Sequence, residues 1–352
     1  MNIKSLLLGS AVAFAAVGSA QAADAVVVAD PEPVEYVRVC DVYGTGYFYI
    51  PGTETCLRIG GYVRYQAAGG DLWERTRVHD DTLLGGEDRT DETYSQYSRL
   101  SLQTWTGTET ELGTLSTYTE TRFQWANGGG TTTSLNFAWI QLGGFRVGKD
   151  ESAYVTFNNY AGAVIADDLV PYGPFDTNLI SYTFSGGNGF SAIISLESGN
   201  SGSYGHAYDI TDYMPHVVAG AKFTQGWGGV SLVGAYDSVH ETWAAKARLD
   251  VNATDTISAF IMAGYGDDDD FNFYKPWGGE WAVWGGLTAK VSEKAAVNLA
   301  LSYDDSEQFG AALNVDYTLV PGFTITPEID YYDAGNGGDD AFGAIVRFQR
   351  SF

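Results

Sequence analysis

The chain has 352 residues and carries 19 basic against 44 acidic side chains, a formal net charge of −25. A balance this acidic excludes nucleic acid as a partner, which needs a basic footprint, and suits divalent cations or acidic loops that simply stay solvated. Glycine supplies 44 residues, aromatic side chains 14% and proline only 9; no stretch after residue 22 reaches the roughly 18 to 20 apolar residues of a membrane helix, which leaves a soluble β-protein or a β-barrel.

The chain opens with a targeting pattern. Lys4 gives a positive end, residues 6–17 are apolar, and Ala20-Gln21-Ala22 is a small-x-small cleavage site. Residues 1–22 therefore read as a signal peptide, removed on export. Residues 23–56 form an N-terminal lead that begins small, acidic and Pro-containing. It holds both cysteines, Cys40 and Cys56. Export to an oxidising compartment favours a disulfide between them over two unpaired thiols. The bridge would close a loop of about 16 residues, worth roughly 3 kcal/mol in the chain-entropy model. The spacing fits no metal motif, and no metal or cofactor is expected.

From residue 57 to 352 the chain alternates with period two. Leu57, Ile59, Gly61, Val63 and Tyr65 take one face; Arg58, Gly60, Tyr62, Arg64 and Gln66 take the other. A polar stretch at 69–91 reads as an outer loop. Arg99, Ser101 and Gln103 then alternate with leucines, and Ser116, Tyr118, Glu120, Arg122 and Gln124 form the next polar face. Strands follow at 135–142 and 145–149. Residues 151–176 break the pattern, with Pro171, Pro174, Asp167 and Asp168. Beyond them come strand pairs joined by glycine turns, 178–185 with 190–197 and 216–224 with 230–236. Three more pairs follow at 242–252 with 255–265, 280–291 with 296–303, and 308–319 with 323–332. The last strand, 340–352, ends on Phe352. Pro327, inside a strand, requires a bulge or an unpaired position.

The total is about sixteen strands, with short Gly or Pro turns alternating with longer acidic connections such as 267–270. That is the pattern of an all-β transmembrane antiparallel barrel, apolar outside and polar inside. A soluble sandwich would have to bury ridges such as Trp243, Leu249 and Val251 or Trp281, Val283 and Leu287. Arg58, Arg64, Arg99 and Arg122 fall on inward faces, with Arg146 beside them. Facing lipid, each would cost roughly 2 to 4 kcal/mol at the midplane. A barrel enzyme would need a catalytic array, and His79, His206, His216 and His240 have only sequence-local acids; Gly128-Gly129-Gly130 lacks the Lys-Ser/Thr of a nucleotide loop. The chain therefore reads as no enzyme.

Three segments carry a family resemblance: VEYVRVCDVYG at 34–44, FYIPGTETCLRIGGYVR at 48–64 and TETELGTLSTYTETRF at 108–123. They resemble the general porins of alphaproteobacteria. The resemblance implies a sixteen-stranded outer-membrane barrel, assembled as a homotrimer among lipid and lipopolysaccharide, passing small hydrophilic solutes and ions. It also implies a third outer loop, here 149–176, folded into the lumen. Phe352 then serves as the assembly signal, with Arg350 a departure where an aromatic residue is usual. A constriction would set Glu151, Asp167, Asp168 and Asp176 on the loop against Arg58, Arg64, Arg99, Arg122 and Arg146 on the wall. The acidic balance suggests mild cation preference. A binding or adhesion barrel is the remaining alternative.

Overall fold

A strand in hydrocarbon must pair on both edges, because no water is present to take its free amides. The chain meets this with sixteen antiparallel strands. They are β1 (Cys56–Gly69), β2 (Arg89–Thr110), β3 (Gly113–Ala126), β4 (Thr131–Leu142), β5 (Phe145–Glu151), β6 (Asp176–Ser185), β7 (Phe190–Glu197) and β8 (His216–Gln225). The second half is β9 (Gly228–Asp237), β10 (Thr242–Asn252), β11 (Ile257–Gly266), β12 (Trp281–Ser292), β13 (Ala295–Asp304), β14 (Phe309–Val320), β15 (Phe323–Asp333) and β16 (Asp340–Ser351). Each pairs with the next, and β16 returns to β1. The computed structural model describes residues 38–79, 89–203, 205–267 and 271–352; the expected signal peptide, the first part of the lead, residues 80–88 and residues 268–270 of the acidic connection lie outside the described residues.

The seam sets Tyr62 opposite Ser351 and Gly69 opposite Ala344. Gly61 and Phe352 complete it by exchanging N–H···O bonds of 3.0 Å in both directions. The terminal residue therefore joins the ring through its backbone while its ring stays exposed. Gly61 is at φ 148°, and a Cβ there would sit 2.0 Å from the Ser101 carbonyl oxygen on β2.

Alternation sorts the two faces. On β10, Trp243, Leu249 and Val251 are exposed while Lys246 and Arg248 are buried. On β12, Trp281, Val283 and Leu287 are exposed while Ala282 and Trp284 are buried. Exposed apolar side chains thus face outward, where lipid takes them. At the ends of the strands that meet the longer connections, aromatic residues pair across neighbours. Trp243 meets Tyr265 at 5.8 Å between ring centroids, Trp281 meets Tyr303 at 5.9 Å, and Phe309 meets Tyr331 at 6.2 Å. Such a band suits the membrane–water interface.

Two local features differ in outcome from the sequence reading. The stretch at 69–91, expected as a loop, contains a strand at Glu74–His79 that pairs with the first residues of β2, Arg89–Tyr94. Its alternating charges carry no apolar face. The strand forms because β2 runs on for 22 residues and offers an edge. Pro327, by contrast, sits where expected. The β14–β15 ladder lapses between Asn314–Glu328 and Tyr317–Ile325, so the missing N–H breaks no bond on that side. Thr326 donates its hydroxyl to Asp316 at 2.6 Å across the gap.

We expect Gly61→Ala to destabilise the folded barrel by about 1 to 3 kcal/mol, the size of a local backbone strain. Urea unfolding in detergent, read by the loss of the heat-resistant compact band on gels, would show a lower midpoint. Gly130→Ala, whose Cβ meets nothing within 4 Å, should leave it unchanged.

Candidate functional site: the polar face of the barrel

The wall is uneven in height. β5 has seven residues and stops at Glu151, opposite Asp176. β4 pairs with it only from Ala138 to Leu142, so residues 131–137 pair with β3 alone. At Ser152 the chain leaves the wall and does not rejoin it until β6.

The connecting segment, 152–175, is tied to the face opposite the apolar exterior, strand after strand. It begins in one turn of helix, Ala153–Thr156, capped by the Ser152 hydroxyl. Buried Glu197 on β7 accepts from Ser152 Oγ at 2.7 Å, Ala153 N at 2.9 Å and Tyr274 Oη at 3.0 Å. Ser231 on β9 donates to Asn158 at 2.6 Å. On β10, Lys246 Nζ donates to the Tyr172 carbonyl at 2.6 Å and lies over the Tyr154 ring at 4.3 Å. Arg248 donates to the Tyr160 carbonyl at 2.7 Å. Trp284 Nε1 on β12 donates to the Val170 carbonyl at 2.9 Å. Near the middle of the segment, Glu328 on β15 accepts from the backbone N–H of Ile165 and Ala166 and from Asn314 Nδ2. Around these bonds Tyr154, Val155, Val170, Tyr172, Met262 and Trp284 form the buried core. The strand residues of this core and of these bonds lie on β7 to β15.

The arginines occupy the other side. Arg58 on β1 stacks on Trp105 at 4.4 Å. Arg64 donates Nε and Nη2 to Gln349 Oε1 at 2.8 and 2.6 Å, and Arg99 makes the same fork to Gln124 Oε1 at 2.8 and 2.5 Å. Arg122 pairs with Glu120 at 2.5 Å. Arg146 pairs with Asp150 at 2.6 Å and lies over Trp139 at 4.1 Å. Arg347 on β16, on the polar face of the last strand by alternation but not among the candidate constriction residues, joins the group by donating to Gln66 Oε1 at 2.9 Å. Its signal was available, since it alternates with Val346 and Phe348 and so shares the inward face of Gln349.

The acids divide. The Asp167 carboxylate accepts from the Tyr172 hydroxyl at 2.7 Å. Burial pushes its pKa up to about 7, Asp168 adds repulsion, and the Tyr172 bond opposes both. Asp168 is exposed beside it. Glu151 accepts from the Tyr160 hydroxyl and lies within range of the Arg122 charge. Asp176 pairs with Lys149 and shares its face with exposed Ile180 and Tyr182 rather than with buried Thr177 and Leu179. Its partner across the β5–β6 register is Glu151, so the two acids stand on the same side of the wall at the ends of their strands. The segment's anchors, Glu197, Lys246 and Glu328, were not legible as such. Alternation places them inward, but their partners are more than forty residues away in the chain.

Cys40 and Cys56 are joined, with both residues buried. Below them Tyr43 donates to Glu109 at 3.0 Å, clasping the lead to β2. Two of the histidines share one carboxylate: His216 Nδ1 lies 3.3 Å and His240 Nδ1 3.0 Å from Asp237. His216 is held further by the Tyr208 carbonyl and by Ser238 N–H. Both ring nitrogens of His216 are thus used in fastening connections together.

Comparison with known proteins agrees with this architecture. The chain is 52% identical to porin Omp2b of Brucella abortus (strain 2308), over 375 aligned residues covering all of both chains. Among solved structures it is similar to the outer-membrane channel DcaP of Acinetobacter baumannii, with a TM-score of 0.65, 17% identity, and 86% of this chain and 99% of that one covered. It is also similar to a triple mutant of Rhodopseudomonas blastica porin, with a TM-score of 0.56, 16% identity, and 84% and 100% covered. The model of the porin subfamily matches residues 24–346, and the chain belongs to that family.

Proposed function

We propose that this porin, a passive channel of the outer membrane and not an enzyme, admits small hydrophilic solutes and ions through an eyelet beside the 152–175 segment. In this reading the segment crosses the lumen as its third outer loop. Glu151, Asp167 and Asp168 supply the negative side; Arg58, Arg64, Arg99, Arg122 and Arg146 supply the positive side, and Arg347 joins them. The supporting observation is the division of the inner face. Every anchor of the segment named above lies on β7 to β15, whereas the arginines lie on β16, β1, β2, β3 and β5. Water between the two sides would be oriented by the transverse field, which penalises apolar solutes. The net charge of −25 favours a mild preference for cations.

We further propose a homotrimer, set in lipid and lipopolysaccharide. On the outer face of β2 and β3, Thr104 bonds Thr119 and Thr106 bonds Thr117, each at 2.6 Å. Next to them residues 131–137 of β4 lack a β5 neighbour. Polar side chains and a free strand edge are costly against hydrocarbon, and a second copy would cover both.

Four measurements check these readings. In planar bilayers, Asp167→Asn/Asp168→Asn should lower the cation-to-anion permeability ratio by about two-fold, as expected for removing fixed charge from a narrow passage; an unmoved reversal potential removes these residues from the eyelet. The same ratio in the native channel should fall between pH 8 and pH 6. A carboxyl raised to about 7 is charged only above that pH, and the folded loop favours its protonated form below it. Glu328→Gln, which weakens the clasp on Ile165 and Ala166, should increase open-channel current noise several-fold with the mean conductance changed less. Thr117→Arg/Thr119→Arg should convert the native-gel trimer to monomer. A native protein that runs as a monomer with full conductance would refute the assembly.

A further inference from the structure

Four guanidinium groups on the inner wall, those of Arg58, Arg64, Arg99 and Arg347, form no ion pair with a carboxylate among the described residues; Arg58 lies over Trp105. Arg122, Arg146 and Arg248 each have a carboxylate partner, in Glu120, Asp150 and Asp250. Arg64, Arg99 and Arg347 instead bond the amide oxygens of Gln349, Gln124 and Gln66. An amide oxygen accepts hydrogen bonds and neutralises nothing. Arg64 and Arg99 stand directly opposite each other in the β1–β2 register, where like charges repel. Their planes are fixed, since Arg64 lies over Tyr62 at 4.5 Å and Arg99 over Tyr97 at 4.8 Å. Glu328 on β15, which accepts from two loop amides and Asn314, lies within range of Arg347, whereas Arg64 and Arg99 have no ion pair among the described residues. In both Arg64 and Arg99 the Nε and Nη2 groups are occupied, and Nη1 makes no hydrogen bond to the described residues. Two guanidinium groups on register-paired residues, each held by a glutamine and an aromatic ring and without an ion-pair partner among the described residues, offer the charge-assisted donors that carboxylate or phosphate oxygens accept.

We propose that Arg64, Arg99 and Arg347 form a saturable site for oxyanion-bearing solutes, carboxylates or phosphates, within a channel whose overall charge is acidic. The site rests on the channel reading above and adds to it a preferred solute class. The glutamines hold the guanidinium planes without cancelling them, so that a passing oxyanion supplies the missing counter-charge. Attraction is local and release is fast, because the donors lie on an open wall and not in a closed pocket.

The test uses the full-length protein in planar bilayers in potassium chloride. Succinate or inorganic phosphate added to one side should reduce the current in a concentration-dependent, saturating manner, half-complete at about millimolar levels. Arg64→Gln/Arg99→Gln channels should conduct but lose the saturating block by at least ten-fold in concentration. Gln124→Glu/Gln349→Glu, which keeps both arginines and gives each a carboxylate, should lose it as well, and this second variant decides the matter if the first assembles poorly. A native channel that conducts normally and shows no saturating block by either anion overturns the site while leaving the channel reading intact. A protein that forms no conducting pore fails the channel reading itself.

Discussion

Backbone amides in hydrocarbon have only each other, and most of this structure follows from that fact. The ring must close, so the first and last strands meet, and the seam needs a residue without a side chain where β1 presses on the Ser101 carbonyl. The wall must alternate, so every second residue on a strand is delivered to the interior. A strand may stop early only where something else takes over its duties. β5 does so at seven residues, and the same interruption that frees a segment to fasten itself to the inner face leaves one edge of β4 wanting a neighbour. One economy in the wall thus underlies both the proposed eyelet and the case for association with another copy.

The interior is lopsided in its chemistry. One half is packed, with an aromatic and aliphatic core and buried carboxylates that accept backbone N–H groups. The other half is a rack of arginines stacked on Tyr62, Tyr97, Trp105 and Trp139. Lys246 and Arg248 show that positive charge alone does not define the open side. Both are buried on the packed side and donate to loop carbonyls, acting as fasteners. What distinguishes the rack is that its members keep donors to spare.

Legibility in the sequence follows the range of the interaction. Period-two alternation is local, and it located the strands, the two faces and the inward arginines, including Arg64 and Arg122. Glycine turns and Pro327 are local too. The hairpin strand at Glu74–His79 escaped because it has no apolar face and exists only by extending a partner. The clasps at Glu197 and Glu328 were invisible for a different reason. Each is an ordinary inward acid until a segment folded from elsewhere presents its amides.

The bond between Gly61 and Phe352 has a consequence in time. A ring has no first strand, but a ribosome and an export channel do, and they deliver β1 almost three hundred residues before the strand that must lie against it. Until the final residue arrives, both margins of the growing sheet are available to any other extended chain. Nothing in the sheet can seal early, because its two ends complete one another. Loss of the last strand would therefore leave a sheet that cannot shut rather than a slightly smaller pore.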